Sequence, residues 1–191
     1  REDLWRTQPN RIEVWIEKDA LIGVIEKVCI QNDCPYFSCR GYPSSSVIWQ
    51  RSRQAQSDMD KFGQDIHIIH LGDHDPSGVD MSRDNEERMR LFCQGHGFDP
   101  CHVHRIALNM NQIEQYNPPP NYAKLTDSRA KEYIKRFGSN AWELDALEPK
   151  VISNLIQSKI DELRDPDLWN EAVEHQNEGK QQLNEIAEDL S

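Results

Sequence analysis

Apolar positions in the first 110 residues switch between two periods. RIEVWIE (11–17) alternates and reads as a strand, whereas Leu21, Val24, Ile25 and Val28 recur at helical spacing within 20–30. PYFSC (35–39) predicts a second short strand, closed by Gly41 and Pro43; Ser44, Ser45 and Ser46 then offer caps for a helix toward Phe62. DIHIIHLG (65–72) is a third strand, halted by DHDPSG. A polar helix is expected from about Ser82 to Cys93, and VHRIAL (103–108) makes a fourth strand. Strands alternating with helices predict an α/β fold, its sheet mostly parallel and covered on both faces.

Beyond Met110 the pattern changes. NPPPN (117–121) is an extended break that no helix crosses. Residues 126–137 read as a helix with Thr126 as its cap. In 149–163, Val151, Ile152, Leu155, Ile156, Ile160 and Leu163 share one helical face. Asp165-Pro166 opens a last helix that either docks through Trp169 and Val173 or frays. The chain thus divides into a lead-in (1–10), an α/β core (11–116), an extended and helical segment packing on that core (117–148), and an acidic helical tail (149–191).

Taken over the whole chain, charge argues against nucleic acid as a partner. The 191 residues carry 33 acids and 22 bases, a net of −11, and non-specific nucleic-acid affinity comes from cations on phosphates. The charge is unevenly spread: residues 143–191 hold 13 acids and 4 bases, leaving residues 1–142 at −2. No apolar run approaches the ~20 residues of a membrane helix, and no signal peptide is evident. Five cysteines predict reduced thiols in a cytoplasmic protein. Cys93, His96, Cys101, His102 and His104 make a thin case for zinc, because no CxxC pair accompanies them.

Ligands of parallel α/β sheets bind beyond the carboxyl ends of the strands. Strand one ends in Glu17-Lys18-Asp19, strand two in Arg40-Gly41-Tyr42 and strand three in Asp73-His74-Asp75. If strands one and three are neighbours, Glu17, Asp73 and Asp75 share a rim. Clustered carboxylates repel, so a hard divalent cation such as Mg²⁺ is their natural partner. Lys18 and Arg40 flank the rim, where they would face phosphates. His74 is expected to point away and shape the turn.

VWIEKDAL (14–21), followed by HLGDHDPSG (70–78), resembles the Toprim domain, the Rossmann-like fold of topoisomerases, DnaG-type primases and several nucleases. The Pro and Gly after the second Asp, with RGYPS (40–44), look most like the topoisomerase VI A subunit family. Residues 117–149 resemble the tails of uncharacterised phage and bacterial Toprim proteins. The resemblance implies a general acid/base at Glu17, Mg²⁺ (or Mn²⁺) held by Glu17, Asp73 and Asp75, and DNA as substrate. Lys18 and Arg40 would stabilise developing charge, with Glu143, Asp145 and Arg129 as additional site candidates. A homodimer is implied by analogy.

Topoisomerase VI A subunits place a winged-helix module with a nucleophilic Tyr ahead of this domain. Only ten residues precede strand one here, so that module is expected in a longer product, and Tyr42 does not match the nucleophile. Acting alone, the chain would use a metal-activated water. Two rivals remain: a non-catalytic module that docks DNA or a partner, and a haloacid-dehalogenase-like phosphohydrolase suggested by DHDPS. The second rival places its nucleophilic Asp after the first strand, whereas DHD here follows the third.

Overall fold

The computed structural model describes residues 3–93 and 101–189. Its centre is a four-stranded sheet in the order β2-β1-β3-β4, from β1 (Asn10–Ile16), β2 (Tyr36–Ser38), β3 (Asp65–Leu71) and β4 (Cys101–Ala107). Every pairing is parallel: Ile16 lies opposite Ser38 and Leu71, and Leu71 opposite Ala107. The carboxyl ends of all four strands therefore open on one edge.

Strand alternation divides the core into two layers. Ile12, Val14 and Ile16 of β1, with Ile69 and Leu71 of β3, face α1 (Ile22–Gln31) and α6 (Pro149–Leu163). Trp15, Ile66 and Ile68 face the other way, onto α2 (Ser45–Phe62) and α3 (Pro76–Cys93). Helices on both faces explain why the central strands carry adjacent apolar residues, Val14-Trp15-Ile16 in β1 and Ile68-Ile69 in β3.

Local chemistry sets the helix ends. Ser44 Oγ accepts from the Val47 N–H at 3.3 Å, and Gly63 closes α2 at φ +67°. α3 begins six residues before its expected start. Asp75 Oδ1 accepts from the Gly78 N–H (2.6 Å) and Ser77 Oγ (2.9 Å), and Pro76 occupies the first turn, where its missing N–H costs nothing. The DHDPSG segment is therefore a helix start, not only a turn.

α5 (Ala130–Phe137) begins later than 126, because Asp127 holds the Arg129 N–H at 2.8 Å in a local turn; Thr126 is not its cap. α4 (Met110–Tyr116) had no apolar period to announce it; Gln112 Oε1 accepts from the Asn109 N–H at 2.9 Å across its start. α6 occupies the expected 149–163 and buries Ile152, Ile156 and Ile160 in the sheet's core, so it is one of the covering helices. α7 (Pro166–Asp189) docks at its start, with Trp169 against Trp5 at 5.3 Å between rings, while Leu183 and Ile186 further along are exposed. None of the described helices is long and apolar enough to cross a membrane.

The short ribbon β5 (Asn121–Tyr122) and β6 (Asn140–Ala141) is antiparallel, and a bridge between His74 and Trp142 joins its end to the loop after β3. That bridge brings residues 142–145 back over the carboxyl edge of the sheet.

The zinc reading does not survive the alternation of β4. Cys101 and Cys93 lie in the α2/α3 layer with their sulfurs 2.9 Å apart. His102 and His104 instead stand on the other face, beside His67. His96 lies outside the described residues.

Candidate metal centre at the carboxyl edge

Because β1 and β3 are neighbours, the loops after them meet. Glu17 Oε2 accepts the Asp73 N–H at 2.9 Å. Little room is left around this carboxylate. A Cβ on Gly72 would lie 2.7 Å from Glu17 Oε2, and one on Gly78 would lie 2.2 Å from the Asp73 carbonyl oxygen. Glycine at both positions lets the backbone close around Glu17.

Burial pushes the Glu17 carboxyl up to about 7, with the negative charges of Asp73 and Asp75 adding to the effect. Asp73 is buried at 8% exposure, and desolvation also raises its pKa. Two donors oppose that rise: the Leu144 N–H at 2.8 Å from Oδ1 and Lys18 Nζ at 3.3 Å from Oδ2. Asp75 holds the start of α3 through Oδ1, as described above, and lines the same cleft as Asp73. The cleft, about 350 Å³, is also bordered by Tyr122, Lys124, Trp142 and Glu143; Tyr122 is 87% exposed.

Lys18 reaches inward. Its ammonium lies 2.9 Å from Glu143 Oε2 and 3.5 Å from Asp145 Oδ2, in addition to Asp73. Burial opposes its charge, but these carboxylates outweigh burial and hold Lys18 well above the usual ammonium range. Glu17, Lys18, Asp73, Asp75, Glu143 and Asp145 therefore form one neighbourhood. Arg40 is not drawn into it; its guanidinium pairs with Asp19 at 2.7 Å and is 78% exposed. Arg129 makes a two-point contact with Asp127 (2.7 and 2.8 Å) and lies over the Tyr42 ring at 5.2 Å. Its fork is already engaged by protein. His74 turns toward Tyr133, Nδ1 to OH at 2.8 Å, away from the acids on either side of it.

Sequence reasoning missed Arg105. From the middle of β4 it donates to the carbonyls of Asp73 (2.7 Å), Gly78 (2.8 Å), Leu108 (3.0 Å) and Gly72 (3.2 Å), and to Ser82 Oγ (3.0 Å). Desolvation draws Arg105 down to about 10, against the pull of Glu17, Asp73 and Asp75. One guanidinium thus splints the loop carrying the acids and supplies a fixed positive charge beneath them. The available signal was an Arg directly before the apolar end of a strand, VHRIAL.

The donors are hard oxygens, as Mg²⁺ prefers, and the charges of Asp73 and Asp75 resist ionisation of Glu17, a repulsion that a cation relieves. Their convergence is loose. Among the described residues, Asp65, His67 and His102 form the one set of three candidate donors lying within 4.8 Å of each other. An open acidic site suits an ion that retains several waters and meets only one or two carboxylates directly. In comparisons with known proteins, the chain matches no family model, and no curated protein matches it.

Proposed function

We propose that the chain is a Toprim-type module for Mg²⁺-dependent cleavage of DNA phosphodiester bonds, as a nuclease or a topoisomerase-like strand-cleavage unit. The observation that carries this reading is the parallel β1–β3 pairing, which seats Glu17 on the Asp73 N–H with a carboxyl pushed to about 7. A carboxyl poised there exchanges protons efficiently at neutral pH. Asp73 and Asp75, with Glu17 beside them, would hold Mg²⁺ or Mn²⁺. The ion would supply charge neutralisation at the scissile phosphate.

The protein's own groups supply the rest. Glu17 takes a proton from the attacking water or returns one to the leaving oxygen. Lys18 keeps Asp73, Glu143 and Asp145 together in the absence of the ion. Arg105 fixes the loop carrying Asp73, so little reorganisation is needed when charge develops. Tyr42 does not suit the role of nucleophile. Its hydroxyl donates to Asp80 Oδ2 at 2.7 Å, and burial, followed by that hydrogen bond, raises its pKa. With Tyr42 engaged in this way, the nucleophile in this proposal is water.

A near-neutral first 142 residues is compatible with DNA: neutralising Glu17, Asp73 and Asp75 takes their net from −2 to +1. Binding should then be weak and metal-dependent, and stronger at low salt. The second reading, a docking module whose chemistry lies elsewhere, draws on the Lys18 ammonium already set against Asp73.

Nicking of supercoiled plasmid in Mg²⁺ or Mn²⁺ separates the two. Cleavage by the wild type that is lost in Glu17→Gln and Asp73→Asn supports the nuclease. Equal nicking by all three proteins rejects it, and metal-dependent DNA binding with no nicking favours docking.

A further inference from the structure

The same sheet carries a second cluster of ligating side chains at its other edge. Asp65 begins β3, and the parallel register sets His67 opposite His102 and Ile69 opposite His104. Alternation places Asp65 and His67 on one face, which they share with His102 and His104. The His67 ring stacks on His102 at 4.8 Å and on His104 at 5.1 Å between centroids. His102 Nε2 lies 3.6 Å from Asp65 Oδ2. Asp65 lies six positions before Leu71 along β3, a rise of roughly 20 Å, so the cluster sits toward the end of the sheet opposite the acidic edge.

We propose that Asp65, His67 and His102 bind a divalent transition-metal ion of the zinc class, independently of the acidic centre. One donor atom from each of the three lies within 4.8 Å of the other two. Two imidazoles and one carboxylate form a set that suits Zn²⁺ and its neighbours and is poorly matched to Mg²⁺. A fourth, open position falls to water.

Asn10 prepares His67 for that role. Its Nδ2 donates to the Leu163 carbonyl at 2.8 Å, so its Oδ1 is turned toward His67 Nε2 at 3.1 Å. A carbonyl oxygen only accepts, so Nε2 must carry the hydrogen and Nδ1 presents its lone pair. Metal-bound histidines are commonly fixed in this way, with the remote N–H donated to a carbonyl or carboxylate. Without the ion, Nδ1 is 2.8 Å from His104 Nε2, whose N–H it accepts; metal binding at Nδ1 displaces that hydrogen bond, and His104 keeps its hydrogen.

The surrounding groups permit an ion to enter. The side chains of His102 and Asp65 are 42% and 32% exposed. From α6, Lys159 acts against a cation near His67 and His104, but Glu162 pairs with it at 2.7 Å and offsets its charge. The competing explanation is a stack of hydrogen-bonded imidazoles with no metal affinity.

The test uses the full chain, titrated with Co²⁺ and followed by visible absorption, in millimolar Mg²⁺ to occupy the acidic edge; Zn²⁺ is then added as competitor. The expected result is a Co²⁺ band from nitrogen ligation that Zn²⁺ abolishes. Affinity should fall about tenfold or more in both His102→Ala and Asp65→Asn and remain unchanged in Asp73→Asn. Both altered side chains are partly exposed, and circular dichroism checks their folding. No band in the wild type, or wild-type affinity in either folded variant, overturns the proposal. An effect of Asp73→Asn equal to theirs would move the ion to the acidic edge and equally overturn it.

Discussion

The two edges of the sheet are built from the same strands yet solve opposite problems. At the carboxyl edge, acids are gathered where charge is hard to hold: Glu17 is raised to about 7, and Asp73 is buried. Their repulsion is contained by Lys18 and Arg105. At the amino edge, imidazoles gather, and burial, with His102 and His104 adding to it, lowers His67 to about 4. One edge needs positive charge to be comfortable; the other is a stack of bases with lone pairs. The difference teaches that a parallel sheet can present hard oxygen donors at one end and borderline nitrogen donors at the other, with the register deciding which side chains meet.

The comparison breaks most forcefully at Arg105. Arg105→Met leaves the carbonyls of Gly72, Asp73, Gly78 and Leu108 without their shared donor and removes the charge beneath the acids. Denaturant unfolding should register a loss of about 3 kcal/mol, together with loss of cleavage. A variant with wild-type midpoint and activity would show that the splint is dispensable.

Gly78→Ala acts on the same loop by steric means. Its Cβ meets the Asp73 carbonyl at 2.2 Å, so the backbone must shift. A destabilisation of about 2 kcal/mol is expected, measured as a fall in Tm, with nicking reduced further than stability alone explains. An unchanged Tm would mean that the loop yields freely.

pH sharpens the contrast. Glu17 has an ordinary value of 4.5 and sits near 7 when folded. Below 4.5 it is protonated in both states and costs nothing. As pH rises from 4.5 to about 7 the unfolded chain releases this proton first, so stability falls through that window and stays lower above it. The loss is about 2 kcal/mol, given that Glu17 is only partly buried. Glu17→Gln should therefore stabilise the metal-free protein at pH 8 and flatten its Tm-against-pH curve. Parallel curves for the two proteins would contradict the buried-carboxylate account. Mg²⁺ should raise the wild-type Tm at pH 8 and leave Glu17→Gln less affected.

The smallest expected effect is at Arg40. Its partner Asp19 is exposed, and surface ion pairs contribute little. Arg40→Ala should leave the unfolding midpoint unchanged and slow nicking only slightly. Loss of nicking comparable to Asp73→Asn would return Arg40 to the phosphate-contacting role expected from sequence.

Much of this was readable in the chain, for physical reasons that also mark where reading stops. Period-2 and period-3.6 patterns located the strands and the buried helices, because burial selects those residues. They located α6 best, where Ile152, Ile156 and Ile160 all face the core. The same signal was silent for α4 and for the first six residues of α3, where hydrogen bonds and a Pro, not apolar spacing, set the start. Strand ends nominated Glu17, Asp73 and Asp75, whose meeting needed only that β1 and β3 be neighbours. Lys18 and Arg40 look equivalent in sequence; the Asp73 carboxylate on the loop after β3 and the return of residues 142–145 through the His74–Trp142 bridge separate them. Arg105 and the imidazole cluster depend on long-range register, His67 opposite His102, which no local pattern encodes.

A hard cation held at the carboxyl edge is what the proposed chemistry depends on. Paramagnetic broadening by Mn²⁺ of backbone amide signals, with Mg²⁺ as competitor, tests it most directly. The expected result is broadening centred on Glu17 and Asp73 to Asp75, reversed by Mg²⁺ and absent in Asp73→Asn. Broadening confined to His67 and His102, or broadening at the carboxyl edge that Mg²⁺ leaves untouched, would contradict it.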